Sequence, residues 1–241
     1  MRIIVTENYE EMSRRAAAIV RSQIDLKPHC VLGFATGDTP RGMYAELIKM
    51  YENREIDFSN VTAFNLDEYC KLGREDSESY HYYMKYNFFD QINIKSENTN
   101  IPDCMAPDIG EECRNYEQKI QRCGGIDLQI LGIGANGHIG FNEPGIEFEA
   151  ETHLVKLHQM TIEANSRFFG SREEVPTSAI SMGIKTILQS RMLMLLANGE
   201  GKAEAIHKTI TGKICPEVPA SIIQLHPNVV MIIEKNAAKL L

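Results

Sequence analysis

Short, almost wholly apolar runs, each separated from the next by a stretch of helical periodicity, constrain this chain more than any other feature of its sequence. Residues 2–5, 30–35, 61–65, 128–133, 178–182, 192–197 and 229–233 read as strands. A strand that is apolar at nearly every position must be covered on both faces, as in a parallel sheet. Between the runs, Tyr44, Leu47, Ile48 and Tyr51 recur at helical spacing, and residues 11–24, 110–121 and 202–211 repeat the pattern. Alternating strands and helices predict an α/β chain whose mostly parallel sheet is sandwiched by helices. In such sheets the ligand site lies beyond the carboxyl ends of the strands. The segments that follow the strands are therefore where chemistry is expected.

Composition narrows the function. With 241 residues, 43% hydrophobic and 24% charged, the chain suits one α/β domain spanning residues 1–241, with no linker, internal repeat or low-complexity tract. A formal charge of −8 without a Lys/Arg run argues against nucleic acid and anionic membranes as partners. It leaves room for a small anion, which needs only a local pocket. No apolar run approaches the ~20 residues of a membrane span, and the first residues read as a strand running into an acidic helix rather than a signal peptide. Cys30, Cys70, Cys104, Cys113, Cys123 and Cys215 contain no CxxC pair, so reduced thiols in a cytoplasmic protein are expected.

After residues 30–35 comes Thr36-Gly37-Asp38-Thr39-Pro40. Thr39 is expected as the N-cap and Pro40 as the first helical residue. A Gly turn feeding a helix N-terminus offers backbone N–H groups to a phosphate. Alone, such a stretch is more simply a capped turn. Asp38 sits awkwardly there, and its side chain is expected to point away.

After residues 61–65 comes Leu66-Asp67-Glu68-Tyr69. Adjacent carboxylates often mark only a solvated loop, but an Asp partly desolvated at a strand end can act as a base toward a carbon acid. After residues 128–133 comes Gly134-Ala135-Asn136-Gly137-His138-Ile139-Gly140-Phe141-Asn142-Glu143-Pro144-Gly145. Its glycines permit close backbone approach to a ligand. A His with a carboxylate nearby can have its tautomer fixed and its protonated form stabilised. A metal site is the rival reading, but it lacks a third ligand, because His153 and His158 fall in an ordinary-looking strand. Lys202, in Asn198-Gly199-Glu200-Gly201-Lys202, and Arg167, in Ala164-Asn165-Ser166-Arg167-Phe168-Phe169, are cations placed to reach a phosphate or simply surface residues.

Taken together and in this order, ATGDTP, FNLDEY, LGIGANGHIGFNEPG, EANSRFF and the AxGxxK turn resemble the glucosamine-6-phosphate deaminase family over nearly the whole chain. The resemblance implies a Rossmann-like three-layer α/β/α sandwich and a cofactor- and metal-independent conversion of glucosamine 6-phosphate and water to fructose 6-phosphate and ammonia. It makes Asp67 the base that moves a proton between C2 and C1. It makes His138 the ring-opening group, with Glu143 supporting it. Thr36, Gly37, Asp38, Thr39, Arg167 and Lys202 fall where the family grips the phosphate.

Two departures stand out. Many relatives carry Asp where this chain has Asn136, which can orient His138 only by hydrogen bonding, and Asp38 replaces a small neutral residue. Residues 146–153 are acidic where allosteric relatives are basic, so a monomer or small homo-oligomer without activation by N-acetylglucosamine 6-phosphate is expected. A galactosamine-6-phosphate deaminase, a hydrolase like 6-phosphogluconolactonase and a silent sugar-phosphate sensor are the alternatives. Lactone hydrolysis has no use for a base at C2, and a sensor has no use for Asp67, His138 and Glu143.

Overall fold

This computed structural model describes residues Met1–Leu241, apart from the side chain of Phe168. The chain opens with β1 (Arg2–Thr6), α1 (Tyr9–Leu26), β2 (Val31–Phe34), α2 (Asp38–Glu52), β3 (Thr62–Asn65), β4 (Asp67–Tyr69), α3 (Tyr80–Asn87) and β5 (Thr99–Asn100). It continues through α4 (Ile109–Arg122), β6 (Leu128–Leu131), β7 (His153–Lys156), α5 (Gln159–Asn165), β8 (Ser178–Ser181) and α6 (Ile184–Leu188). It closes with β9 (Leu193–Ala197), α7 (Ala203–Thr211) and β10 (Val229–Glu234).

Seven strands form one sheet in the order β1-β10-β9-β6-β2-β3-β5, and every pair in it is parallel. The strand residues sort by parity, as the pleat requires. Leu32, Phe34, Met194, Leu196, Val230 and Ile232 pack into one core with α1, α2 and α3. Val31, Leu193, Leu195, Val229, Met231 and Ile233 pack into the other, with Tyr116 and Ile120 of α4, Ile187 of α6 and Ile206 of α7. This is the three-layer α/β/α sandwich that the apolar runs demand. Truncating a fully buried member such as Leu32 to Ala is a change that costs about 2–5 kcal/mol.

The long helices begin where local chemistry permits. The Asn8 side chain accepts the Glu11 N–H at the start of α1, and Asp108 accepts the Glu111 N–H at the start of α4, each satisfying an amide that the helix leaves open. The start of α2 departs from expectation. The helix begins at Asp38 with Gly37 as an N-cap that makes no side-chain bond, so Thr39 and Pro40 are the second and third helical residues. Thr39 is drawn off by a tertiary partner, because its hydroxyl donates to Asn198 Oδ1 at 2.8 Å.

Three further expectations are corrected. Residues 178–182 do not join the parallel sheet. β8 instead pairs antiparallel with β4 and β7 in a separate three-stranded sheet. β4 and β5 are too short to show a period, and β7 is half-exposed as an edge strand of its sheet. His158 lies outside β7 and caps α5. Finally, Cys70 and Cys104 are disulfide-bonded, not reduced, while the other four cysteines are free. Their 34-residue separation carries no signal, and only the tertiary fold brings their Cα atoms to 4.8 Å.

Candidate active site

The strand order reverses between β2 and β6, because the chain proceeds from β2 to β3 and β5 on one side and from β6 to β9 and β10 on the other. A crevice outside the carboxyl ends of strands follows from such a reversal. A cavity of about 350 Å³ lies there, lined by residues 36–39 after β2, Leu66 and Asp67 after β3, and residues 132–136 and His138 after β6. Arg167, just beyond α5, and Lys202, after β9, complete one wall. Every sequence-predicted site residue lines this cavity except Glu143, which stands behind His138.

At the cationic end, α2 points its N-terminus into the cavity. Helix geometry leaves the amides of Asp38 and Thr39 without intrahelical acceptors, and the positive end of the dipole favours an anion. The turn is held from outside. Tyr83 donates its hydroxyl proton to the Gly37 carbonyl at 2.7 Å, and Tyr9 donates to the Asp38 carbonyl at 2.9 Å. Burial, with Arg167 nearby, holds the Lys202 ammonium below its ordinary range. An arriving phosphate would relieve that repulsion. The Asp38 side chain does not turn away. Its carboxylate accepts a hydrogen bond from Arg167 at 2.7 Å and lies 3.7 Å from Arg41.

Asp67 is the first residue of β4, where the chain leaves the parallel sheet for the smaller one. The Leu66 amide still donates to the Phe34 carbonyl at 3.0 Å, while the Leu66 carbonyl accepts from Met182 at 2.8 Å. Asp67 is 5% exposed. Burial, helped by the neighbouring Glu68, pushes its carboxyl up to about 8. Gly140 lies against it: a Cβ at that position would come within 3.0 Å of Ser181 Oγ and 3.6 Å of Asp67 Oδ2, at a φ of +56°.

His138 Nδ1 lies 3.3 Å from Glu143 Oε2. Burial alone would raise the Glu143 carboxyl. His138, Thr161 and Asn136 outweigh it and hold Glu143 down at about 2, so it is ionised at any working pH. Thr161 of α5 donates to Glu143 Oε1 at 2.5 Å, and Asn136 Nδ2 donates to Oε2 at 2.9 Å. Asn136 therefore does not bond the imidazole, as the sequence reading had it. Its amide orients the carboxylate, and its Oδ1 accepts the His138 backbone N–H at 3.2 Å. The ring rests on Gly134, where a Cβ would stand 2.5 Å from Cε1 and Nδ1.

Sequence reasoning missed Thr161, whose role depends on α5 docking beside the loop after β6, and Tyr80, whose side chain lines the cavity from α3. Neither sits in a pattern that names it. Among the described residues, no group of three or more His, Cys, Asp or Glu is gathered so as to hold a metal ion. No helix among them is long and apolar enough to cross a membrane.

A polarised carboxylate and an imidazole–carboxylate pair, facing a helix N-terminus with two cations, define an enzyme of acid–base chemistry on a small anionic molecule. Residues 6–232 match the model of the glucosamine-6-phosphate isomerases/6-phosphogluconolactonase family, and the chain belongs to that family. A glucosamine-6-phosphate deaminase of Clostridium botulinum (strain Hall) is 62% identical over 238 residues, covering 99% of this chain and 98% of the relative. A glucosamine-6-phosphate deaminase of Clostridium acetobutylicum is 61% identical with complete coverage of both, 100% each. The solved structure of a monomeric glucosamine-6-phosphate deaminase superposes with a TM-score of 0.98 at 46% identity, again covering 100% of each chain. A 6-phosphogluconolactonase of Thermotoga maritima, 18% identical with a TM-score of 0.77 over 97% of this chain and 99% of the other, shares the fold.

Proposed function

We propose that this chain acts as one domain that deaminates and isomerises glucosamine 6-phosphate, giving fructose 6-phosphate and ammonia. The observation that carries the reading is that Asp67 and His138 share one cavity with the N-terminus of α2, Arg167 and Lys202. A base, a proton shuttle and an anion anchor thus face the same small volume.

The phosphate sits on the amides of residues 37–39 with Arg167 and Lys202, and its binding energy orients the sugar. The C2 proton of a closed pyranose is not acidic, so the ring opens first. His138 carries a proton between the C1 hydroxyl and the ring oxygen, and Glu143, ionised and fixed by Thr161 and Asn136, stabilises the imidazolium that forms. In the open aldehyde the carbonyl activates C2–H, and Asp67 removes that proton to give an enolamine. Returning the proton at C1 leaves an imine at C2, which water hydrolyses with release of ammonia. A base pushed up to about 8 suits this task, because proton transfer is most effective when the catalytic group titrates near the working pH.

The likeness to the lactonases is one of fold, and lactone hydrolysis leaves a buried carboxylate at C2 without work. We propose also that the protein works as a monomer in the cytoplasm, a reading supported by the monomeric relative and by the acidic segment 146–153. The test is a coupled assay on glucosamine 6-phosphate, scoring ammonia and fructose 6-phosphate together. Equal appearance of both products is expected. Hydrolysis of 6-phosphogluconolactone with no ammonia from either glucosamine or galactosamine 6-phosphate would refute the reading.

A further inference from the structure

Consecutive residues of a strand face opposite ways. Asp67 of β4 lines the cavity, so Glu68 is turned away from it and into the protein, where it is 4% exposed. A buried carboxylate is costly unless hydrogen-bonded, and this one accepts three backbone N–H groups. Oε1 accepts from Tyr69 at 2.7 Å and from Tyr80 at 2.9 Å, and Oε2 accepts from His81 at 2.8 Å. Tyr80 and His81 are the first two residues of α3, and the side chain of its N-cap Ser79 accepts a helix N–H only from Tyr82. Glu68 therefore supplies the acceptors that the cap does not. Burial raises its carboxyl to about 7 against the pull of these N–H bonds, and in its ionised form its charge at the helix N-terminus strengthens the attachment.

The helix it holds reaches the site twice. The Tyr80 ring lines the cavity, stacked on Phe141 at 5.9 Å and against Tyr69 at 4.7 Å. One turn on, Tyr83 donates to the Gly37 carbonyl in the turn ahead of α2. Hydrogen bonds at either end, joined by the backbone of the first turn of α3, thus connect the residue beside Asp67 to the turn read as the phosphate cradle.

We propose that Glu68 is a positioning residue for the reaction: by fastening α3 to β4 it fixes the distance between the Asp67 carboxylate and the anion-binding turn at residues 36–39. The proposal rests on the function argued above. It gives a role to a buried, hydrogen-bonded carboxylate, since a misplacement of about 1 Å between reacting groups is enough to cost about 10²-fold in rate. Glu68 also sets part of the field at Asp67. The groups that face the pair are Tyr69 on β4, Tyr80 and His81 on α3, Tyr44 on α2, Tyr116 on α4, Asp103 ahead of α4, and His138, Arg167 and Lys202 across the cavity.

Glu68→Gln is the test, assayed at a temperature where its unfolding curve shows it folded. The variant keeps an oxygen for Tyr69 and Tyr80 but turns an amide NH2 toward the His81 N–H and removes the charge. We expect kcat to fall about 10–100-fold, and the acid limb of its pH profile to move to lower pH as Asp67 loses a negative neighbour. A Tm decrease with kcat, KM and the pH profile all matching the parent would overturn the proposal, because a merely structural residue behaves that way. If Glu68→Gln does not fold, Tyr83→Phe cuts the path at its other end, where loss of one hydrogen bond should lower kcat/KM about 2–10-fold and leave the acid limb in place. Unchanged kinetics in Tyr83→Phe would count equally against it. Failure of the parent protein to deaminate glucosamine 6-phosphate would instead sink the underlying function.

Discussion

Asp38 and Arg167 form an ion pair at 2.7 Å on the wall of the site, so a carboxylate already occupies the guanidinium proposed above to bind the substrate phosphate. The two residues lie 129 positions apart in the chain, and both side chains are about half exposed, 45% and 65%.

Asp38→Asn should therefore tighten phosphate binding. A pair this exposed is worth about 0–1 kcal/mol, so KM for the sugar phosphate and the inhibition constant of inorganic phosphate should each fall by up to about 5-fold. Steady-state kinetics with phosphate as competitor measure both. A rise in KM would show that Asp38 holds Arg167 in place rather than competing with the substrate.

Asp67→Asn should lower kcat about 10²–10⁴-fold, the usual loss on removing a general base. It should also stabilise the fold. The Asp67 carboxyl is raised to about 8 by burial and Glu68, against an ordinary value near 4, so the folded state holds a proton that the unfolded chain releases between those pH values. Stability from this group is complete below about pH 4 and declines as pH rises toward 8. The asparagine variant escapes that decline and should gain about 0.5–2 kcal/mol at pH 8, in keeping with the usual conflict between stability and activity. Thermal melts of both proteins at pH 5 and pH 8 decide it, and a gain equal at the two pH values would contradict the assignment.

Asn136→Asp should retain activity while moving the pH–rate profile upward. The new carboxylate loses the 2.9 Å bond to Glu143 and sets a second negative charge beside it, which favours the imidazolium of His138. Two carboxylates in contact also destabilise the loop, so the melting temperature should fall as pH rises. A superimposable profile would show that position 136 acts only on the backbone of the loop.

Thiol titration of the denatured, unreduced protein should find four groups, and six after reduction. Closing a loop of this length is worth about 2–4 kcal/mol in the usual account. Reductant, or Cys104→Ser, should lower the melting temperature accordingly, and because Cys70 directly follows β4, the loss should be accompanied by lower kcat. Six thiols without reductant would mean that the pair does not form.

Much of the fold was legible because short, nearly continuous apolar runs that must be buried on both faces have few solutions. The runs at residues 192–197 and 229–233 became β9 and β10, strands with every residue buried. The same reasoning misplaced residues 178–182, since an apolar run does not say which strand it pairs with or in what direction. Short β4 and β5 were silent for want of length.

The site divides along the same line. Local spacing determined that a Gly turn precedes α2, that an Asp follows β3 and that a His and a Glu share the loop after β6. Those are relations between near neighbours, fixed by backbone geometry. Only the tertiary structure decided that Thr161 clamps Glu143, that Asn136 serves the carboxylate instead of the imidazole, that Asp38 faces Arg167 and that Glu68 fastens α3. Each of these joins residues through contacts a few ångströms long, and their partners are set by how the elements pack, which no single stretch of sequence encodes.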